Sequence, residues 1–206
     1  MKQPWKTNAM RILPLTIFCL LTITNLVAQD VEENLKTAKS AYQSGDLVTA
    51  KDNLTEAITA LDNILGKEIL SILPGSLNDV PSVAGKDEIV TNSGIAGLFV
   101  ERTYQKGENI MIELNITDDS PLVATTNALI SNPVMSLITS QSGDKVVKVG
   151  SYKGILQKED GSDDYELMVP FGNSMLSIET KGVKNESEVI QMANTIPLDK
   201  IGELLK

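Results

Sequence analysis

The chain has no histidine, one cysteine and one tryptophan among its 206 residues, and aromatics amount to 4%. Without imidazole there can be no Ser-His-Asp triad, no Cys-His pair and no histidine-built zinc or copper site. A single cysteine rules out a disulfide within the chain. Positive charge is scarce too: 18 lysines and arginines stand against 27 acids, for a net charge of −9. Such a balance makes no phosphate-binding surface, so nucleic acid is not an expected partner. Apolar residues are plentiful at 42%, which is ordinary for a globular chain able to build a core and too high for a disordered one.

The N-terminus has the layout of a secretory signal peptide over residues 1–29. Lys2, Lys6 and Arg11 form the positive region, Ile12 to Val27 is nearly all apolar, and acids begin at Asp30. Cleavage is expected after Ala28 or Gln29. The apolar run is shorter than the roughly 20 residues a membrane span needs, and Asn25 interrupts it. Cys19 lies in the middle of the run after Phe18, the wrong setting for lipid attachment, and reads as apolar filler. Removing Lys2, Lys6 and Arg11 takes the net charge from −9 to −12. The remaining chain then has no cysteine, histidine or tryptophan. The expectation is a periplasmic or secreted protein with no stable membrane insertion after cleavage.

Residues 30–73 predict a helical hairpin. Leu35, Ala38, Ala41 and Tyr42 recur at helical spacing. Gly45 suits the left-handed position after a helix end, and Asp46 suits the N-cap of the next helix. Leu47, Ala50, Leu54, Ala57, Leu61 and Ile64 step by three and four, an amphipathic stripe, and Pro74-Gly75 stops it. Residues 74–96 have the Pro, Gly, Ser and Asn content of a linker.

From about Ile95 the apolar period becomes two, predicting an antiparallel α+β domain over 97–206 with the order β-β-α-β-β-β-α and helices packed on the sheet. Strands are expected at 97–105 and 109–117, and a helix follows Ser120-Pro121 and continues briefly over 134–138. Residues 145–149 and 152–158 are a strand pair or one strand bent at Gly150. Two further strands at 165–171 and 174–180 precede a helix at 186–193, capped by Asn185 or Ser187, and a last helix that Pro197 starts.

No constellation in this chain compels a chemistry. Ser142 and Lys145 have the spacing of a serine–lysine acyl-transfer pair, but Gly143-Asp144 between them makes a turn, which does not hold that geometry. Asp160, Asp163, Asp164 and Glu166 form an acidic hairpin tip without the calcium-loop spacing. Asp118 and Asp119, before Ser120-Pro121, are placed to cap a helix and to favour its positive end. Glu101, Glu113 and Glu166 fall on outward strand positions and could share a sheet face. Met111, Met135, Met168, Met175 and Met192 are adaptable core fillers that could instead line an apolar pocket. The triplets at Asn53, Asn115 and Asn185 match a glycosylation signal by chance, since the export signal is bacterial in style. The reading therefore assigns no catalytic, cofactor or metal residue.

The hairpin Ala38 to Ala50, Ala-Lys-Ser-Ala-Tyr-Gln-Ser-Gly-Asp-Leu-Val-Thr-Ala, resembles a single tetratricopeptide unit. Arrays of that unit generally need about three repeats to stand alone. More widely, Tyr42 to Ala50, Leu73-Pro74, Arg102-Thr103-Tyr104, Ser131-Asn132-Pro133 and Ala193 to Leu198 resemble a set of uncharacterised exported bacterial proteins with the same helix pair and C-terminal domain. That resemblance implies export and no known activity. The element order of the second half resembles the PsbP/Mog1-like α/β/α sandwich, which implies a fold and nothing about a site. The function expected is non-catalytic binding or assembly in the bacterial cell envelope through a protein partner, with no cofactor. The alternative is a carrier for an apolar small molecule or lipid in a sheet–helix cleft, and a third reading is a carboxylate-only hydrolase.

Overall fold

A computed structural model describes residues 23–91, 97–132, 144–159 and 161–206. The architecture is α+β: a helical pair followed by an antiparallel sheet with helices. Contacts divide the chain into two units, and the division falls inside the second helix between Ala60 and Leu61.

In the first unit, α1 (Ile23–Ser44) and the first half of α2 (Leu47–Ile72) are joined by Gly45 and Asp46. Gly45 has φ +85°, a conformation that glycine adopts without strain. Asp46 caps α2 as expected: its carboxylate accepts from the Thr49 amide at 3.1 Å, and the Thr49 side chain first, then that amide, hold its carboxyl below the usual range. Ala38, Ala50 and Ala57 are buried, so small side chains form the seam of the antiparallel pair. α1 begins inside the apolar run and passes through the Ala28-Gln29 junction. Residues 1–22 of the expected signal peptide lie outside the described residues.

The second unit is built on a seven-stranded antiparallel sheet of order β3-β4-β5-β9-β8-β7-β6. Its strands are β3 (Glu88–Thr91), β4 (Leu98–Lys106), β5 (Ile110–Thr117), β6 (Lys145–Val149), β7 (Tyr152–Lys158), β8 (Tyr165–Phe171) and β9 (Ser174–Lys181). A separate two-stranded ribbon pairs β1 (Ser76–Leu77) with β2 (Val80–Pro81). The segment expected as a linker therefore supplies β1, β2 and the edge strand β3. Asn78-Asp79 makes the turn between β1 and β2, Pro81 lies within β2, and Leu77, Val80 and Ile89 anchor the strands in the core. The 145–158 region is a strand pair, since Gly150 at φ +59° reverses the chain. The observed order thus has one strand more after α3 (Leu122–Ser131) than the expected β-β-α-β-β-β-α, and two closing helices, α4 (Glu186–Asn194) and α5 (Leu198–Leu204). The expected continuation over 134–138 lies outside the described residues.

The period of two sets the core. Val100, Tyr104, Ile112, Leu114, Ile116, Leu167, Val169, Leu176 and Ile178 point to one face and are buried with Ile69 of α2 and Leu73 just beyond it, Val189 and Met192 of α4, and Ile201 of α5. On the opposite face α3 packs on β7, β8 and β9. Ile155 and Met175 are buried there, outside the main core. α4 is capped by Asn185, whose side chain accepts from the Glu188 amide at 3.1 Å.

The C-terminal end of α2 is tied to β4. The tie runs through the carbonyls of Leu73 and Pro74, the two residues that follow the helix. Arg102 donates from Nη1 to the Leu73 carbonyl at 3.1 Å, and the Tyr104 hydroxyl donates to the Pro74 carbonyl at 2.9 Å. Arg102 also grips Asp87 with two nitrogens at 2.9 and 2.5 Å. A cation at a helix C-terminus is favourable in its own right. The Leu73-Pro74 and Arg102-Thr103-Tyr104 segments, distant in sequence, are therefore two halves of one latch.

Candidate functional site

The site is the part of the second sheet face that α3 leaves open. Antiparallel pairing sets directly opposed side chains about 5 Å apart at Cβ. Here Glu113 of β5 faces Glu179 of β9, and Glu179 faces Glu166 of β8. Three carboxylates thus form a row across three adjacent strands. Gln157 of β7 continues the row beside Glu166 and donates to Asp144 at 3.0 Å. On the other side Glu101 of β4 lies next to Asn115 of β5, with Glu88 of β3 opposite it.

Strand alternation puts the acids here. Ile112 and Leu114 must turn inward, so Glu113 turns out; Leu176 and Ile178 impose the same on Glu179, and Leu167 on Glu166. Like charges facing each other across strands oppose pairing. The cost is visible in the protonation equilibria. Partial burial pushes the Glu166 carboxyl above its ordinary value, with Glu179 and then Asp144 adding to it. Glu101 is raised the same way, by burial first and then by Glu113, Glu88 and Glu179.

The row lies in a concavity of about 560 Å³. Its lining includes the acids Glu113, Asp144, Glu159, Asp164, Glu166 and Glu179 against the cations Lys158 and Lys181. Lys158 is engaged by Asp163 at 3.6 Å and lies over the Tyr165 ring at 5.5 Å. Asp164 is used structurally, accepting from the Gly182 amide at 3.0 Å. Among the described residues, the side-chain oxygen Oδ1 of Asn115, one row away, is buried with no hydrogen-bond partner.

Sequence reading placed Glu101, Glu113 and Glu166 on outward positions, and they do share one face. Glu113 and Glu166 are not adjacent, however, because Glu179 of β9 comes between them. Glu179 was not singled out. Its signal was present in the alternation of Leu176 and Ile178, but its position between β5 and β8 follows from the strand order, which no local pattern encodes.

The other candidate residues go elsewhere. Ser142 lies outside the described residues, while Lys145 begins β6 and pairs with Glu186 at 2.6 Å. Asp118 does not cap α3. Its carboxylate accepts from the Ser174 hydroxyl at 2.7 Å, and the residue preceding α3 makes no side-chain cap bond. Asp119 adopts φ +47° in the turn that follows β5. Of the methionines, Met175 and Met192 are buried, Met111 borders the acidic concavity, and Met135 lies outside the described residues. A second concavity of about 880 Å³ is lined by Asp118, Asp119, Tyr152, Asp199 and Glu203 among others. Its carboxylates are partly spent on internal bonds, since Tyr152 donates to Asp199 at 2.8 Å and Ser174 to Asp118.

Among the described residues, no three His, Cys, Asp or Glu side chains are grouped to hold a metal ion, and no helix is long and apolar enough to cross a membrane. The chain matches no protein family, no curated protein and no solved structure.

Proposed function

We propose that this chain is an exported, non-catalytic binding protein of the bacterial cell envelope, periplasmic or secreted. Its open acidic sheet face takes up lysine or arginine side chains of a protein partner. The observation that supports this reading is the uninterrupted row Glu113–Glu179–Glu166 on neighbouring strands. A row of opposed carboxylates weakens its own sheet, and an ammonium or guanidinium placed above it relieves that repulsion with charge-assisted hydrogen bonds. The negative field of the whole chain, −9 or −12 after cleavage, would also steer a cationic partner toward it.

Among the described residues Glu179 is exposed and Glu113 and Glu166 are half-buried, and on that partial exposure we read the row as a charged surface for a partner and not as a sequestered acid–base pair. The carrier alternative gains no support from the sheet–helix interface, where Ile69, Leu114, Leu176, Val189 and Ile201 fill the space. The test is calorimetric titration of the chain with a short peptide of alternating lysine and serine. Binding should weaken at least tenfold between 50 and 300 mM salt, as screening demands. The triple variant Glu113→Gln, Glu166→Gln, Glu179→Gln should lose it. Equal binding by the variant would refute the proposal.

A further inference from the structure

The helical pair of the first unit has an apolar face that nothing among the described residues of that unit covers. Relative to the buried Ala38, Leu35 and Tyr42 are displaced to one side of the seam. Relative to the buried Ala50, Leu47, Leu54 and Ile58 are displaced in the same rotational sense, each residue turning about 100°. Two antiparallel right-handed helices displaced in the same sense bring both sets to one face of the pair. The polar Asn34, Thr37, Thr49 and Asn53 are displaced oppositely and occupy the other face.

The five large side chains are far from buried: Leu35 is 48% exposed, Tyr42 69%, Leu47 64%, Leu54 48% and Ile58 57%. Together they leave on the order of 500 Å² of apolar surface, at the upper end of what a lone protein exposes without a partner. A single helical repeat does not bury its own hydrophobic face and relies on a neighbouring helix to do so. From Leu47 to Ile58 the face extends about 16 Å, three helical turns.

The border of this face is charged in a specific place. Lys39 follows Ala38 and Lys51 follows Ala50, so both project beyond the apolar residues on the outer edges. Each is six residues from Gly45, which sets them at the same level on opposite sides. Both are exposed, and neither belongs to an ion pair among the described residues. Farther from the turn the borders become Glu32 on α1 and Thr55 on α2.

From this arrangement we infer a second binding surface, independent of the sheet face. The α1–α2 pair receives one amphipathic helix of another protein, with three turns of apolar stripe and acidic residues on both flanks at the end nearest Gly45. The helix supplies the missing neighbour, in the manner of a helix laid in a groove. Its acids answer Lys39 and Lys51. A second copy of this chain fits less well, because it would bring lysines of its own to that rim.

The test uses the full chain and two fluorescent helical peptides that share one leucine stripe, flanked by glutamate in one and by lysine in the other. Anisotropy titration should show the glutamate-flanked peptide binding at least tenfold tighter. The double variant Lys39→Glu, Lys51→Glu should reverse that preference. Leu54→Glu should abolish binding of both peptides while leaving the thermal unfolding midpoint within two degrees, since Leu54 is exposed. The triple glutamine variant of the sheet face should bind like the parent, which separates this inference from the first. Equal affinities, no binding by either peptide, or a dimer in light scattering that Leu54→Glu dissociates would each overturn it.

Discussion

Tyr104 joins burial, a hydrogen bond and a titration in one side chain. It is fully buried, and its hydroxyl donates to the Pro74 carbonyl. Burial pushes its ionisation up to about 12. The folded value lies above the unfolded one near 10, so the protonated form favours the fold. Stability is fully present below pH 10 and falls as pH rises through 10 to 12. Tyr104→Phe should lower the unfolding free energy by about 1 kcal/mol at pH 7, the worth of one hydrogen bond, and should flatten the alkaline slope seen in urea denaturation. Glu166 behaves in the same sense at acid pH. Its carboxyl is raised by burial and by Glu179, so its charge opposes folding once pH exceeds the unfolded value. Glu166→Gln should therefore raise stability by about 0.5 kcal/mol at pH 7, with the gain vanishing below pH 4 where both states are protonated. Thermal unfolding at the two pH values would read this directly, and a loss of stability at pH 7 would contradict it.

At the scale of elements, the sheet depends on close approach as much as on alternation. Gly154 in β7 has no room for a side chain: a methyl there would meet the Met168 carbonyl oxygen at 2.6 Å and Val169 at 2.8 Å. Gly154→Ala should destabilise the protein by about 2 kcal/mol through overpacking against backbone that cannot move aside. Shifted urea midpoints with an unchanged slope would confirm it. Such a contact is not legible in the sequence, where Gly154 is one more glycine in an alternating run. Helix ends were legible, because Gly45 and Asp46 act through bonds within three residues, and of the two cap candidates Asn185 and Ser187 it is Asn185 that caps the helix. Strands β4, β5, β8 and β9 were legible from their apolar period for the same local reason. The short strands β1, β2 and β3 were not: β1 and β2 are two residues each, too short to show an apolar period, and β3 pairs with β4 across a Gly- and Asn-containing segment that reads as linker. The capping role expected for Asp118 failed because Ser174, remote in sequence, competes for the carboxylate.

The whole molecule combines two surfaces of opposite character, one in each contact unit. The sheet face is a set of carboxylates whose mutual repulsion the fold tolerates, and the helical pair presents an apolar face framed by lysines. Local pattern put Glu101, Glu113 and Glu166 on outward positions. Glu113 and Glu166 join one row because β9 lies between β5 and β8 and sets Glu179 between them, while Glu101 stands opposite Asn115, outside that row. The shared face was legible in the alternation, and the adjacency of Glu113, Glu179 and Glu166 follows from strand order.

The most direct measurement is amide shift mapping by nuclear magnetic resonance as the lysine–serine peptide is added to the isotope-labelled chain. The account predicts that the largest shifts fall at Glu113, Glu166, Glu179 and their strand neighbours, and that they disappear in the triple variant Glu113→Gln, Glu166→Gln, Glu179→Gln. Shifts spread over other acidic positions such as Asp30, Glu56 and Glu203, or shifts that persist in the triple variant, would contradict it.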